Sequence, residues 1–202
     1  MAAPMTRTRP PQVCVTRGAL SRRLFIFPRA GDSRGAWTGW AMSEAERIIR
    51  ALGLAAHPEG GWYRQTWVGP ATGGFATGGL DLGGLADQGP GGGRASGTAI
   101  LFLLASGERS HWHRVDADEI WLFHAGAPLI LSLGADAAAC REVRLGPDVL
   151  GGDAVQAVVP AGWWQAARPT GAWSLVSCTV SPGFRFAGFE LAAPGFDIPV
   201  GV

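Results

Sequence analysis

The chain has no lysine, one tyrosine and three cysteines, and only 16% of its 202 residues are charged. Every positive side chain is therefore an arginine, which together with the alanine and glycine bias reads as a coding preference. Cys14, Cys140 and Cys178 are odd in number and far apart, with no CxxC pair. That excludes a disulfide framework and makes a reducing, cytoplasmic compartment the expectation. Long apolar runs are also missing. The longest, "TAILFLLAS" (Thr98 to Ser106), is far short of the roughly twenty residues that cross a bilayer, so no membrane partner is expected.

An excess of either sign of charge is missing as well, with a net charge of +1, but the charges are unevenly spread. Residues 1–41 carry seven arginines and one acid, and residues 42–202 carry ten arginines and fifteen acids. The larger part is mildly acidic, which gives no electrostatic footprint for nucleic acid. What is abundant is apolar: 47% of the chain, with nine tryptophans. Such a chain folds as a globule, and its large rings pack a core or wall a cavity.

The first forty residues lack any hydrophobic period. "SRRLFI" (Ser21 to Ile26) is similar to a twin-arginine export signal, but Pro28 and Arg29 stop the apolar stretch at once. An arginine-rich transit peptide is a second reading. The expectation is that residues 1–41 are a disordered or over-extended leader and residues 42–202 a single domain. Ser43, with Glu46 three residues on, forms a capping box, and Ile48, Ile49 and Leu52 share a face before Gly53. This predicts one short helix over Ser43–Leu52. Downstream, "GGWYRQTWV", "TAILFLL", "SHWHR", "DEIWLFH", "PLILSL", "REVRL", "VQAVVP", "WWQAA" and "WSLVSCTV" are short segments punctuated by Gly, Pro or Asp. They predict an all-β sandwich or barrel. Gly69 to Gly97, glycine-dense and aperiodic, is expected to be a long surface loop or a hairpin insertion.

The chemistry concentrates in "SHWHRVDADEIWLFHAG" (Ser110 to Gly126). Strand alternation puts His111 and His113 on one face, and Glu119, Trp121 and Phe123 on one face of the next strand. If the two strands are antiparallel neighbours, both imidazoles and the Glu119 carboxylate converge as a nitrogen and oxygen metal set. His124 falls on the opposite face and is read as structural. Arg64 shares a face with Trp62 and Thr66, while Tyr63, Gln65 and Trp67 take the other. A guanidinium in the barrel would suit a carboxylate or phosphate ligand, or would serve an ion pair. His57 and Glu59, in "HPEGG", are read as part of a turn set by Pro58 and Gly60–Gly61. Trp163, Trp164 and Trp173 are candidates to wall a cavity, and Asp116 and Asp118 read as a solvated turn.

Gly107, His111, His113, Glu119 and Gly126 resemble the first motif of the cupin superfamily. Gly152, Pro160 and Gly162 resemble the second, with Gln165 where that motif has histidine. "LGLAAHPEGGWYRQT", "VVPAGWWQAA" and "SCTVSPGFRFAGFELA" are similar to its uncharacterised single-domain cupin-5 branch. The resemblance implies an all-β jelly-roll barrel (double-stranded β-helix) with one short N-terminal helix, paired as a homodimer around a pocket for a small polar molecule. It implies His111, His113 and Glu119 as metal ligands or catalytic groups, and Gln165 as an amide ligand or a hydrogen-bond donor to substrate. The cofactor expected is one divalent metal, zinc, iron, manganese or nickel, and otherwise none. Arg64, Trp121, Phe123, Trp163 and Gln165 are the substrate-binding candidates. Three functions are compatible: an isomerase or epimerase of a small sugar or carbonyl compound, a non-catalytic binding or sensing protein, and a metal-dependent oxygenase.

Overall fold

A computed structural model describes residues 42–72 and 93–201; the leader expected over 1–41 and most of the loop expected over Gly69–Gly97 lie outside the described residues. The described residues open with α1 (Glu44–Leu52). Ser43 and Glu46 satisfy each other's backbone N–H groups, and Gly53 ends the helix in the left-handed region at φ 63°. Eleven strands follow: β1 (Ala55–Ala56), β2 (Trp62–Val68), β3 (Thr98–Ala105), β4 (Ser110–Val115), β5 (Asp118–Gly126), β6 (Leu129–Gly134), β7 (Arg141–Leu145), β8 (Gln156–Val159), β9 (Trp164–Pro169), β10 (Trp173–Ser181) and β11 (Phe189–Leu191).

They build two antiparallel sheets, ordered β1-β2-β3-β10-β5-β8 and β11-β4-β9-β6-β7. Apart from the two short strands β1 and β11, these are the segments read from the sequence. β3 is apolar on both faces because both are covered. Phe102 and Leu104 enter the barrel core, while Leu101, Leu103 and Ala105 face α1, packed with Ala45, Ile48, Ile49 and Leu52. The outer face of the second sheet is covered by the C-terminal segment, where Trp112, Cys140 and Ala166 pack with Phe196 and Ile198.

Inside the barrel, packing divides the space into a filled end and a hollow end. Leu129, Leu131, Leu133 and Leu145 from β6 and β7 fill one end. On three adjacent strands the inward residues pass from cavity to core in steps of two: Ile100 to Phe102, Glu119 to Trp121, and Cys178 to Val176. A period of two is what a strand imposes. The boundary between chemistry and packing lies level on β3 and β10, where Ile100 pairs with Cys178, and steps by two residues at β5, where Cys178 pairs with Trp121 and Val180 with Glu119.

Candidate functional site

Two local irregularities decide which side chains reach the hollow end. The first is in β4. Ser110 pairs with Ala167 and His113 with Gln165, so a step of three on β4 faces a step of two on β9. One extra residue in a strand is a bulge, and it resets the alternation beyond it. Ser110 and His113, not His111 and His113, consequently share the buried inner side. The His111 ring turns outward and meets the Ala193 carbonyl at 3.2 Å through Nε2.

The second is the "HPEGG" turn. Gly60 and Gly61 take φ 105° and 72°, and a Cβ at Gly60 would strike the Arg109 carbonyl. Only glycine allows both this conformation and this approach. The turn closes by His57 N–H donating to the Gly61 carbonyl and Gly60 N–H to the His57 carbonyl, each at 3.0 Å. It is tied to the bulge where the His111 N–H donates to the Glu59 carbonyl at 2.8 Å. The turn thus delivers both His57 and Glu59 into the barrel, and Glu59 is only 8% exposed.

A buried polar chain results. Ser110 Oγ donates to Glu59 Oε1 at 2.8 Å. Glu59 Oε2 lies 3.3 Å from His113 Nε2 and 3.5 Å from His57 Nδ1. His113 Nδ1 donates to the His111 carbonyl at 2.8 Å, which leaves Nε2 free to share a proton with Glu59. The Glu59 N–H meets His57 Nδ1 at 3.3 Å, so a neutral His57 carries its proton on Nε2. On the other side, Gln165 Nε2 donates to Glu119 Oε2 at 2.6 Å, and Gln165 Oε1 accepts from Trp121 Nε1 at 2.8 Å. An indole N–H can only donate, which fixes the orientation of the amide.

Burial sets the protonation states. It pushes the Glu59 carboxyl up to about 7, against the pull of His57 and the Ser110 hydrogen bond. It also raises Glu119, with the Glu59 charge adding to the effect and His113 and Gln165 opposing it. Burial holds His113 and His57 below the ordinary imidazole value, with Glu119 and Glu59 respectively opposing it. The Cys178 thiol is driven well above its usual range, by burial and then by the charges of Glu119 and Glu59. Near neutrality Glu59 thus stands between its carboxyl and carboxylate forms beside an imidazole that burial keeps neutral, and the Cys178 thiol keeps its proton.

The cavity above this chain spans about 700 Å³, solvent at its open mouth included, and Tyr63, Gln65, Ile100, Val115 and Val180 line its walls. Phe184 and Phe186 line its mouth, their rings edge to face at 5.1 Å. A clasp holds that aromatic lip. Asp116 accepts from Arg94 Nη2 at 2.7 Å and from Arg185 Nη2 at 2.7 Å, and Arg94 Nε donates to the Gly183 carbonyl at 2.8 Å. Partial burial alone would raise the Asp116 carboxyl, but the two guanidinium groups hold it below its usual value.

Of the residues singled out in the sequence, the structure brings His113, Glu119, Gln165 and Trp121 together, and Glu119 reaches the cavity itself. Phe123 and Trp163 pack against the core instead of lining the cavity. Arg64 is exposed on the outside of the barrel, its Nη1 about 4.0 Å from where a Cβ of Gly53 would lie, at the end of α1. Tyr63 and Gln65 share a face, as alternation required, and it is this face and not that of Arg64 that points inward, but the bulge at Thr66 turns Trp67 outward, where it is 45% exposed. Trp173 packs on α1, and Trp164 stacks under Arg114 with Phe196 beside it. His124 sits outside, against Ser177. The residues that simple alternation missed are His57, Glu59 and Ser110; the signal was present in the paired glycines behind an acid.

These positions do not fit a metal held by His111, His113, Glu119 and Gln165. The His111 ring faces away, the amide oxygen of Gln165 is engaged by Trp121, and Glu119 is bonded to the amide nitrogen. Among the described residues no three His, Cys, Asp or Glu side chains are grouped so as to hold a metal ion.

The chain matches the family described as "Cupin superfamily (DUF985)" over residues 46–192. A solved protein from Shewanella oneidensis is 35% identical, with 75% of this chain and 86% of that one covered and a TM-score of 0.62. A hypothetical protein from Leishmania major is 31% identical, with 75% and 89% covered and a TM-score of 0.61. Among curated proteins none matches.

Proposed function

The chain belongs to the cupin superfamily (DUF985), and from that premise we propose that it binds a small polar molecule and moves a proton on it, as an isomerase or epimerase of a carbonyl compound does. Fold does not carry this reading, since one fold hosts many chemistries. The observation that carries it is the buried Glu59–His113 pair, 3.3 Å apart beside an open cavity. A base poised near neutrality suits removal of a proton alpha to a carbonyl, and Glu59 lies at about 7. His57, kept neutral by burial, offers its Nε2–H to the oxyanion that develops. Glu119, also raised by burial, is placed to return a proton. No step in this reading requires a metal, and an oxygenase built on His111, His113 and Glu119 around one iron loses the first of its imidazoles, since the His111 ring faces the Ala193 carbonyl. Incubation in deuterated water with a panel of small aldoses, ketoses and keto acids, read by proton NMR, tests the reading. Wild-type protein should exchange the alpha proton of at least one compound, and Glu59→Gln should slow that exchange by about 100-fold or more. Equal exchange in Glu59→Gln, or none in the wild type, contradicts it; the latter outcome favours binding without turnover.

We also propose a homodimer in a reducing, cytoplasmic setting. The buried free thiols of Cys140 and Cys178 support the second part. Exposed Trp67, Val155 and Val158 on the six-stranded sheet and its edge support the first, as apolar surface beside a strand edge calls for cover.

A further inference from the structure

The cavity has an unbalanced inventory of charge. Glu59 and Glu119 are 8% and 6% exposed, and their hydrogen-bond donors are the neutral Ser110 and Gln165. Their remaining close neighbours are imidazoles and, beside Glu119, the neutral Cys178 thiol. The chain contains no lysine, and no arginine is among the described residues that line the cavity. The arginines nearest its mouth, Arg94 and Arg185, are both committed to Asp116. Arg64, the one guanidinium expected inside, lies on the outer face. An anionic ligand would therefore meet two carboxyl groups and no partner of opposite sign, a costly arrangement in a low-dielectric site. The rest of the wall is uncharged, and three of its residues are aromatic: Tyr63, Phe184 and Phe186 line the cavity beside Gln65, Thr98, Ile100, Val115 and Val180, with Phe189 behind, 5.8 Å and 6.3 Å from the two phenylalanine rings. Ring faces attract cations and repel anions.

We propose that the cavity takes a small organic cation, a protonated amine or quaternary ammonium, with its charge beside Glu59 and Glu119 and its alkyl groups on Tyr63, Phe184 and Phe186. The proposal rests on the proton-transfer reading of the same site and narrows its substrate to compounds bearing such a group. Cationic charge supplies the counter-ion that the carboxylates lack, and the aromatic lip accepts the alkyl substituents that an ordinary ion pair would leave in water.

Three probes of one shape separate charge from fit: choline, its uncharged carbon isostere dimethylbutanol, and the anionic dimethylbutanoate. Titration calorimetry of the full chain at about pH 8, where a carboxyl of pKa near 7 is ionised, should show choline binding about tenfold or more tighter than the alcohol. The anion should bind weakest. Glu59→Gln and Phe184→Leu should each erase most of the preference for choline over the alcohol; matching thermal melts will show that both variants are folded. Equal binding of choline and the alcohol, or tighter binding of the anion, overturns the charge inference while leaving the pocket itself standing. No binding by any probe at millimolar concentration overturns it too, and the proton-transfer reading then stands or falls on its own exchange assay.

Discussion

Glu59 sits where the energetic stakes of the site are highest, and its consequences can be read from pH alone. The rise of its carboxyl from 4.5 to about 7 corresponds to roughly 3 kcal/mol of linkage. For a raised acid, that contribution is fully present below pH 4.5 and is lost as pH climbs through 7. Glu119 acts in the same direction, whereas His57 and His113, lowered by burial, contribute stability above their ordinary value and lose it on acidification. Ser110 and Cys178 complete the surroundings. The substitution Glu59→Gln isolates the single group. Relative to wild type, its stability in urea should increase by about 3 kcal/mol between pH 4.5 and about pH 8; a flat difference would place the carboxyl at its ordinary value. Gln165→Ala removes the amide between Glu119 and Trp121 and leaves two buried polar groups unpaired. It should cost about 3 kcal/mol in the same assay, and a loss below about 1 kcal/mol would show that water replaces the amide.

At the level of elements, bulges and turns decide what the strands cannot. α1 was legible from its capping box, and the main strands from their punctuation, because those signals act over a few residues. Face assignments were legible only as far as alternation ran unbroken: Glu119 and Trp121 share the inward face, and Tyr63 shares one with Gln65, although alternation did not say that this face, and not that of Arg64, is the inner one. Beyond the bulge in β2, Trp67 is turned outward, and beyond the one in β4 the partner of His113 is Ser110. A bulge is one extra residue with no compositional mark here, so strand parity could not reveal it. Glu59 escaped for another reason: it lies on a turn, where no period applies, and its inward direction comes from two glycines at positive φ. The site therefore depends on the backbone of His111, through its N–H and carbonyl, and not on its ring. His111→Ala should cost at most about 1 kcal/mol and leave any exchange activity intact, while His113→Ala, which strips Glu59 of a buried partner, should cost about 3 kcal/mol in thermal or urea unfolding. Equal effects would contradict the reset of the strand. The clasp makes a separate claim. Asp116→Ala should speed amide hydrogen exchange through residues 183–188 and leave β10 unchanged, with a stability loss of about 1 kcal/mol or less because its ion pairs are partly exposed.

For the whole molecule, the barrel is a scaffold filled at one end by leucines and left hollow at the other, with α1 and the C-terminal segment sealing the outer faces. The all-β class followed from composition and punctuation, and the family resemblance supplied the jelly roll. The proposed constellation followed only in part: the family motif points to His113, Glu119 and Gln165, while Glu59 and His57 come from the turn. Two proposals concern assembly and extent. Sedimentation at micromolar concentration should give a dimer, and a stable monomer would leave the exposed Trp67, Val155 and Val158 without their proposed role. A chain beginning at Met42 should melt within about 1 kcal/mol of the full one, since unanchored tails contribute little; a larger loss would show that residues 1–41 pack on the barrel. The central claim, that Glu59 and His113 hold a proton available near neutrality, is tested most directly by carbon-13 NMR of the glutamate carboxyls across the pH range, with Glu59→Gln assigning the resonance. The account predicts a Glu59 midpoint near 7, and a midpoint at the ordinary 4.5 would contradict it.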